Sequence, residues 1–211
     1  MARHLILLGD SIFDNAIYVP NGTAVVEHVQ QHLPAGDRVS LVAVDGNITV
    51  DVLRQIERMP RDATHLAISV GGNDALQASG ILQESFLETE QLFRELAEIQ
   101  DSFANDYRTM LRAVLAQDRP TVVCTIYDSI PGMQRWQLAA LSNFNDTIIR
   151  EAALVGVPVL DLRPICYEAS DYAPISPIEP STSGGRKIAQ ALVGVLDRHD
   201  FRRQDTVVYA R

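Results

Sequence analysis

The sequence predicts an α/β fold, one parallel sheet covered on both faces by helices. Three observations carry this. Five short runs rich in Leu, Ile and Val are closed by turn-forming or polar residues, as buried strands are. Segments with apolar residues at helical spacing separate them, and such alternation is the mark of parallel crossover units. No repeat, low-complexity tract or linker divides the 211 residues, which predicts a single domain over 1–211.

Taken in order, the run 5–8 ends at Gly9-Asp10 and fits a buried first strand. Val25, Val26, Val29 and Leu33 then mark a helix within 23–33, stopped near Pro34. A second strand over 39–44 is closed by Asp45-Gly46-Asn47, and Val52, Leu53 and Ile56 mark a short helix that stops at Pro60. The third strand, 66–70, runs into Gly71-Gly72-Asn73-Asp74. From Phe86 to Leu115 the composition predicts helix, long enough at 30 residues to suggest one break. A fourth strand over 121–126 leads to Tyr127-Asp128 and a turn at Pro131-Gly132; a helix over 134–154 then ends at Gly156, well placed as a C-cap. The fifth strand is 159–162, and the last helix opens at Ser183 or Gly184. The least regular stretch, 163–182, holds four prolines.

Composition narrows the function. Apolar residues at 46% and charged residues at 21% describe a chain able to bury a core. A net charge of -9 argues against a nucleic-acid partner, and Arg202-Arg203 reads as part of a solvated tail. Cys124 and Cys166 form no CxxC pair and no metal-ligand spacing, so no metal is expected and both read as buried reduced thiols. No GxGxxG or Walker pattern is present, and no cofactor is expected. The N-terminal apolar run is too short for a signal peptide, and no stretch reaches the roughly 20 apolar residues of a membrane span. A cytoplasmic location follows as an expectation, while oligomeric state stays open.

In a parallel α/β sheet the chemistry sits beyond the carboxyl ends of the strands. Gly9-Asp10-Ser11, Gly46-Asn47, Gly71 to Asp74, Tyr127-Asp128 and the 163–182 loop all fall there. Each alone fits a turn; together they point to a shared site. Ser11 follows a tight strand-end turn and is placed as a nucleophile. The Asn73 amide, the Gly46 N–H and the Ser11 N–H suit an oxyanion. Asp10 is expected to accept backbone N–H groups in the turn, and Asp74 to cap a segment starting near Ala75.

These residues carry a resemblance. Gly9-Asp10-Ser11, Gly46, Gly71-Gly72-Asn73-Asp74, then Pro180-Ser181 followed by Gly184, Gly185 and Ile188-Ala189, resemble the GDSL or SGNH hydrolase family across nearly the whole chain. The resemblance implies a flavodoxin-like three-layer α/β/α sandwich with a five-stranded parallel sheet. It implies hydrolysis of esters, including acyl esters, lipid esters and acetylated sugars. It puts Ser11 at the nucleophile position and Gly46 and Asn73 at the oxyanion positions.

The late motif departs from the family, whose usual pattern is Asp, two residues, then His followed by Pro. Here Ser176 falls where the Asp is expected and Glu179 where the basic His is expected. His4 and His65 open strands, His28 and His32 belong to the first helix, and His199 follows the last, so none has a route to the site. This predicts a divergent branch with Glu179 as candidate base. An unperturbed Glu titrates near pH ~4.3, but burial beside Ile178 or Ile175 would raise that value. A carboxylate also needs no third residue to fix a tautomer.

Further pocket candidates are Asp171, a second acid in the same loop, and Arg54, which either approaches the site or pairs with Glu57. Asp128 and Tyr127 are placed to line the pocket. The stretch from Phe86 to Leu96, with Met133 and Trp136, would form walls over an acyl chain or simply pack in the core. Two functional readings stand. One is a serine hydrolase acting on small acyl or acetyl esters. The other is a weakly active or inactive SGNH-fold protein that binds an acyl, acetyl or carbohydrate ligand or a protein partner.

Overall fold

In chain order the helices and strands are β1 (His4–Gly9), α1 (Val25–His32), β2 (Arg38–Leu41), α2 (Val52–Glu57), β3 (His65–Ser69), α3 (Gly72–Ala78), α4 (Thr89–Leu115), β4 (Thr121–Cys124), α5 (Arg135–Val155), β5 (Val159–Leu160), β6 (Tyr172–Ala173), β7 (Ser176–Pro180), α6 (Thr182–Arg198) and β8 (Val208–Tyr209). This computed structural model describes residues 2–83 and 88–210.

Every residue of β1 is buried, because helices cover both faces of the sheet. The period-two alternation of a strand splits its side chains between two cores. Leu5 and Leu7 join Val25 and Val29 of α1 and Leu192 of α6. Ile6 and Leu8 join Phe103 and Met110 of α4 and Ile148 of α5. The result is the expected α/β/α sandwich. The sheet runs β2-β1-β3-β4-β5-β8, parallel throughout. Its first five strands follow the flavodoxin-like order, in which the chain reverses direction across the sheet between β1 and β3.

The sheet has six strands, not five. Val159 donates to the carbonyl of Val207 at 3.0 Å and Asp161 to that of Tyr209 at 2.7 Å, so the tail covers the edge that β5 would otherwise leave open. A two-residue strand carries no readable period, which is why the sequence pattern misses it. Arg202 and Arg203 are exposed beside Asp200, just before that strand.

A small antiparallel hairpin, β6–β7, also replaces the expected loop. Prolines 177 and 180 hide it, since proline argues against a paired strand. The helix α4 is unbroken over 27 residues. The Phe86 start assigned to it lies outside the described residues. Gly156 has φ 69° and closes α5 in the left-handed conformation, as expected.

Candidate active site

Ser11 is presented by a turn that only glycine permits. Gly9 has φ +126°, and a Cβ there would lie 1.8 Å from the carbonyl oxygen of Ser69. The chain bends at the end of β1, where Asp10 N–H donates to that carbonyl at 3.0 Å. Asp10 Oδ1 then accepts the Ile12 N–H at 3.1 Å, the turn role expected of it. Ser11, 6% exposed, is directed into a small cleft lined also by Asp10, Gly72, Asn73, Ile178 and Glu179. With Ser11 after β1 and Asn73 after β3, the cleft lies at the β1/β3 switch point, the usual ligand site of such sheets.

Across the cleft, Ser11 Oγ lies 3.5 Å from Glu179 Oε1 and is oriented to donate to it. That is the outer limit of a hydrogen bond. Glu179 ends up there because both neighbouring carbonyls are gripped. Tyr127 Oη donates to the Ile178 carbonyl at 2.7 Å, and Asn15 Nδ2 to the Pro180 carbonyl at 3.0 Å. Asn15 Oδ1 accepts the Val25 N–H at 2.9 Å, tying the hairpin to α1. Sequence reasoning missed Asn15; its only signal is an amide side chain in the loop beyond Ser11.

Glu179 is 5% exposed, and burial pushes its carboxyl above the ordinary range. The nearby Ser176 and Ser11 hydroxyls pull the other way, while Asp45 adds to the rise. Its Oε2 is buried without a hydrogen-bond partner among the described residues. Ile178 shares the cleft wall, whereas Ile175 is exposed and supplies no apolar cover.

On the opposite wall, Asn73 sits in the first turn of α3 and its Nδ2 donates to the Asn47 carbonyl at 2.9 Å. The loop carrying Gly46 is thereby tied to Asn73, although Gly46 itself stands in that loop rather than on the cleft wall. Gln55 secures the same corner. Its Oε1 accepts the Gly9 N–H at 2.7 Å, and its Nε2 donates to the Gly9 carbonyl at 2.7 Å and to Asn47 Oδ1 at 2.8 Å. Asp74 does not cap a helix near Ala75. The helix starts at Gly72, and Asp74 Oδ2 accepts the Thr49 N–H at 3.1 Å, fixing the loop from the other side. Burial pushes the Asp10 carboxyl up to about 8, with Asp74 and Glu179 adding to the rise and the Ile12 N–H opposing it.

The peripheral candidates fall elsewhere. The Arg54 side chain is 81% exposed and lies 3.5 Å from Asp51, not Glu57. Asp171 is fully buried and ion-paired to Lys187 at 2.8 Å, a structural tie between the hairpin region and α6. Asp128 is half-buried, its carboxyl raised by burial and lowered by Arg163. None of the three lines the cleft, and neither does any histidine. His4, for example, bonds Ser40 at 2.8 Å at the far end of β1.

A second cavity of about 200 Å³ opens beside the first, between α3, α4 and α5. Gly72, Ile126 and Ile178 line both. Leu96 and Met133 contribute to its wall, while Trp136 is exposed and does not.

Strand order and cleft position together define a doubly wound α/β protein with a candidate site at its switch point. More particularly, the chain belongs to the GDSL-like lipase/acylhydrolase family, a family of ester hydrolases, whose family model matches residues 7–185. None of the curated proteins compared with it matches. Solved structures share the fold. The lipase Lip_vut3 from a goat rumen metagenome aligns with TM-score 0.71 and 18% identity over 92% of this chain and 97% of its own. A member of the lipolytic G-D-S-L family from Veillonella parvula aligns with TM-score 0.68 and 18% identity over 94% and 100%. A catalytic mutant of Axe2, an acetylxylan esterase from Geobacillus stearothermophilus, aligns with TM-score 0.68 and 16% identity over 96% and 98%. Among the described residues, no helix is long and apolar enough to cross a membrane.

Proposed function

We propose that this protein is a serine esterase of a divergent GDSL branch in which Glu179 takes the part usually given to histidine. The observation that carries this is the buried Glu179 carboxylate facing Ser11 Oγ at 3.5 Å in the switch-point cleft. Ser11 Oγ attacks the ester carbonyl while its proton passes to Glu179. The Asn73 amide and the N–H of Ser11 receive the charge on the tetrahedral oxygen, and the Gly46 N–H joins them if substrate draws its loop, tied to Asn73 through the Asn47 carbonyl, onto the cleft. Glu179 returns the proton to the departing alcohol, leaving an acyl group on Ser11. A water molecule then gives a proton to Glu179 and its oxygen to the acyl carbon; as the bond to Ser11 Oγ breaks, Glu179 passes that proton to Oγ, which frees the acid and restores both residues.

The raised carboxyl suits this work, because a base is most effective when its pKa approaches the working pH. The reading is tested with purified protein and p-nitrophenyl esters. Ser11→Ala is expected to abolish turnover. Glu179→Gln is expected to lower kcat by a factor of about 10²–10⁴. The base acts deprotonated, so wild-type kcat/KM rises with pH through a pKa above the ordinary Glu range, and Glu179→Gln loses that limb. Equal turnover with and without Ser11 overturns the assignment.

One observation favours the second reading. The 3.5 Å separation exceeds the about 2.6–3.2 Å of direct proton transfer in an assembled complex. A protein that binds an acyl or carbohydrate ligand, shows no turnover and leaves Ser11 unlabelled by an activated phosphonate would be a binder on this fold.

A further inference from the structure

Two sides of the Ser11 cleft differ sharply in chemistry. Towards β2 stand Asp14, Tyr18 and Asp45, joined by Tyr18 Oη donating to Asp45 at 2.8 Å and Asp45 N–H donating to Asp14 at 3.0 Å. The turn at Ala16–Tyr18 packs against β7, which carries Glu179, so this polar group lies on the Glu179 side of the cleft. Towards α4 and α5 the cleft instead meets the larger cavity, walled by Ile81, Ile99, Phe103, Leu141 and Phe144. Among the described residues, polar side chains on that wall are few and uncharged: Ser79, Gln100, Gln137 and Asn143. Gly72, Ile126 and Ile178 form the threshold, next to Asn73 on one side and Glu179 on the other.

We propose that this cavity holds the acyl chain of the substrate, and that the enzyme selects a straight medium-length acyl ester over an acetyl ester. The alcohol then departs on the side of Asp14, Tyr18 and Asp45. The inference rests on the reading of Ser11 as nucleophile and extends it to the substrate. A chain reaching from the Ser11 carbonyl carbon past Ile126 and Ile178 enters a space with apolar contacts on several sides. An acetyl group ends at the threshold and leaves that space unused.

Size sets the chain length. An apolar cavity of roughly 150 Å³ accepts the six carbons of benzene. The cavity of about 200 Å³ therefore takes roughly eight carbons on the same scale. Each methylene moved from water into it favours binding by about fourfold, the equivalent of about 0.8 kcal/mol. Selectivity should climb with chain length and stop where the cavity is full.

The test uses p-nitrophenyl acetate, butyrate, hexanoate, octanoate and decanoate, so that the leaving group is constant. Wild-type kcat/KM is expected to rise by up to about fourfold per methylene and to level off near octanoate. Ala140→Phe on α5 and Ala78→Phe on α3 each put a ring into the cavity. Each is expected to lower the octanoate-to-acetate ratio of kcat/KM by at least about tenfold, and the two sites guard against one variant failing to fold. Calorimetric binding of octanoate to Ser11→Ala protein, weakened by Ala140→Phe and absent for acetate, reads the cavity without chemistry. Octanoate binding without turnover of any ester keeps the cavity assignment and overturns the esterase. Turnover that is greatest with acetate, or an octanoate-to-acetate ratio unchanged in both variants, overturns the cavity assignment and leaves the esterase standing. Neither binding nor turnover overturns both.

Discussion

Asp10 is held almost without solvent beneath Ser11, with burial raising its carboxyl to about 8. Its pKa in the folded state therefore lies above its unfolded value. Between the ordinary Asp value of 3.8 and about 8 the native state binds more protons at this site than the unfolded chain. The associated stability is complete below the unfolded value and is lost as pH rises through the folded one. Asn at this position keeps an oxygen for the Ile12 N–H and cannot ionise. Asp10→Asn is thus expected to match the wild type in urea unfolding near pH 4 and to exceed it by a few kcal/mol near pH 8. A difference independent of pH would show that Asp10 ionises freely in the fold. At this scale much was legible: Gly9, Asp10 and Ser11 announce a tight turn by residue type alone. Glu179 was legible by position, but its burial depends on β7 being held across the site by Tyr127 and Asn15, residues far from it in the chain.

The hairpin that delivers Glu179 is held chiefly by side chains from other elements. Tyr127→Phe removes the donor to the Ile178 carbonyl while preserving the ring that packs edge-on against Tyr172. Leaving that carbonyl unpaired costs about 1–3 kcal/mol. The expected catalytic effect is a fall in kcat of roughly tenfold with p-nitrophenyl acetate, whose acyl group ends short of the cavity that Ile178 borders, because Glu179 is displaced. Asn15→Ala, which frees the Pro180 carbonyl, is expected to act alike in steady-state kinetics. An intact kcat in both variants would mean that the hairpin holds Glu179 unaided. One position later, Ser181 caps α6 by accepting from the Ser183 and Gly184 N–H groups. Ser181→Ala should lower thermal stability by about 1 kcal/mol, read as a drop in Tm. The cap follows from the residue type. The hairpin does not, because Pro177 and Pro180 conceal a strand whose pairing is set across space.

For the whole molecule, the last strand shows how much a short tail contributes. Truncating residues 204–211 removes β8, bares the edge of β5 and strips Gln204 from its contact with Gly156. The truncated protein is expected to unfold at lower urea concentration than the full chain, and an unchanged midpoint would show that β8 merely rests on the sheet. By itself, the sequence determined the alternation of strands and helices, the carboxyl edge that carries Ser11 and Asn73, and the family. Those properties follow from local residue choice, from hydrophobic period and from motif spacing. Only the tertiary structure decided that Glu179 faces Ser11, that Asp171 belongs to Lys187 and Arg54 to solvent, and that an apolar cavity adjoins the cleft. Each of these depends on groups far apart in the chain meeting across the sheet, and no local pattern encodes that meeting.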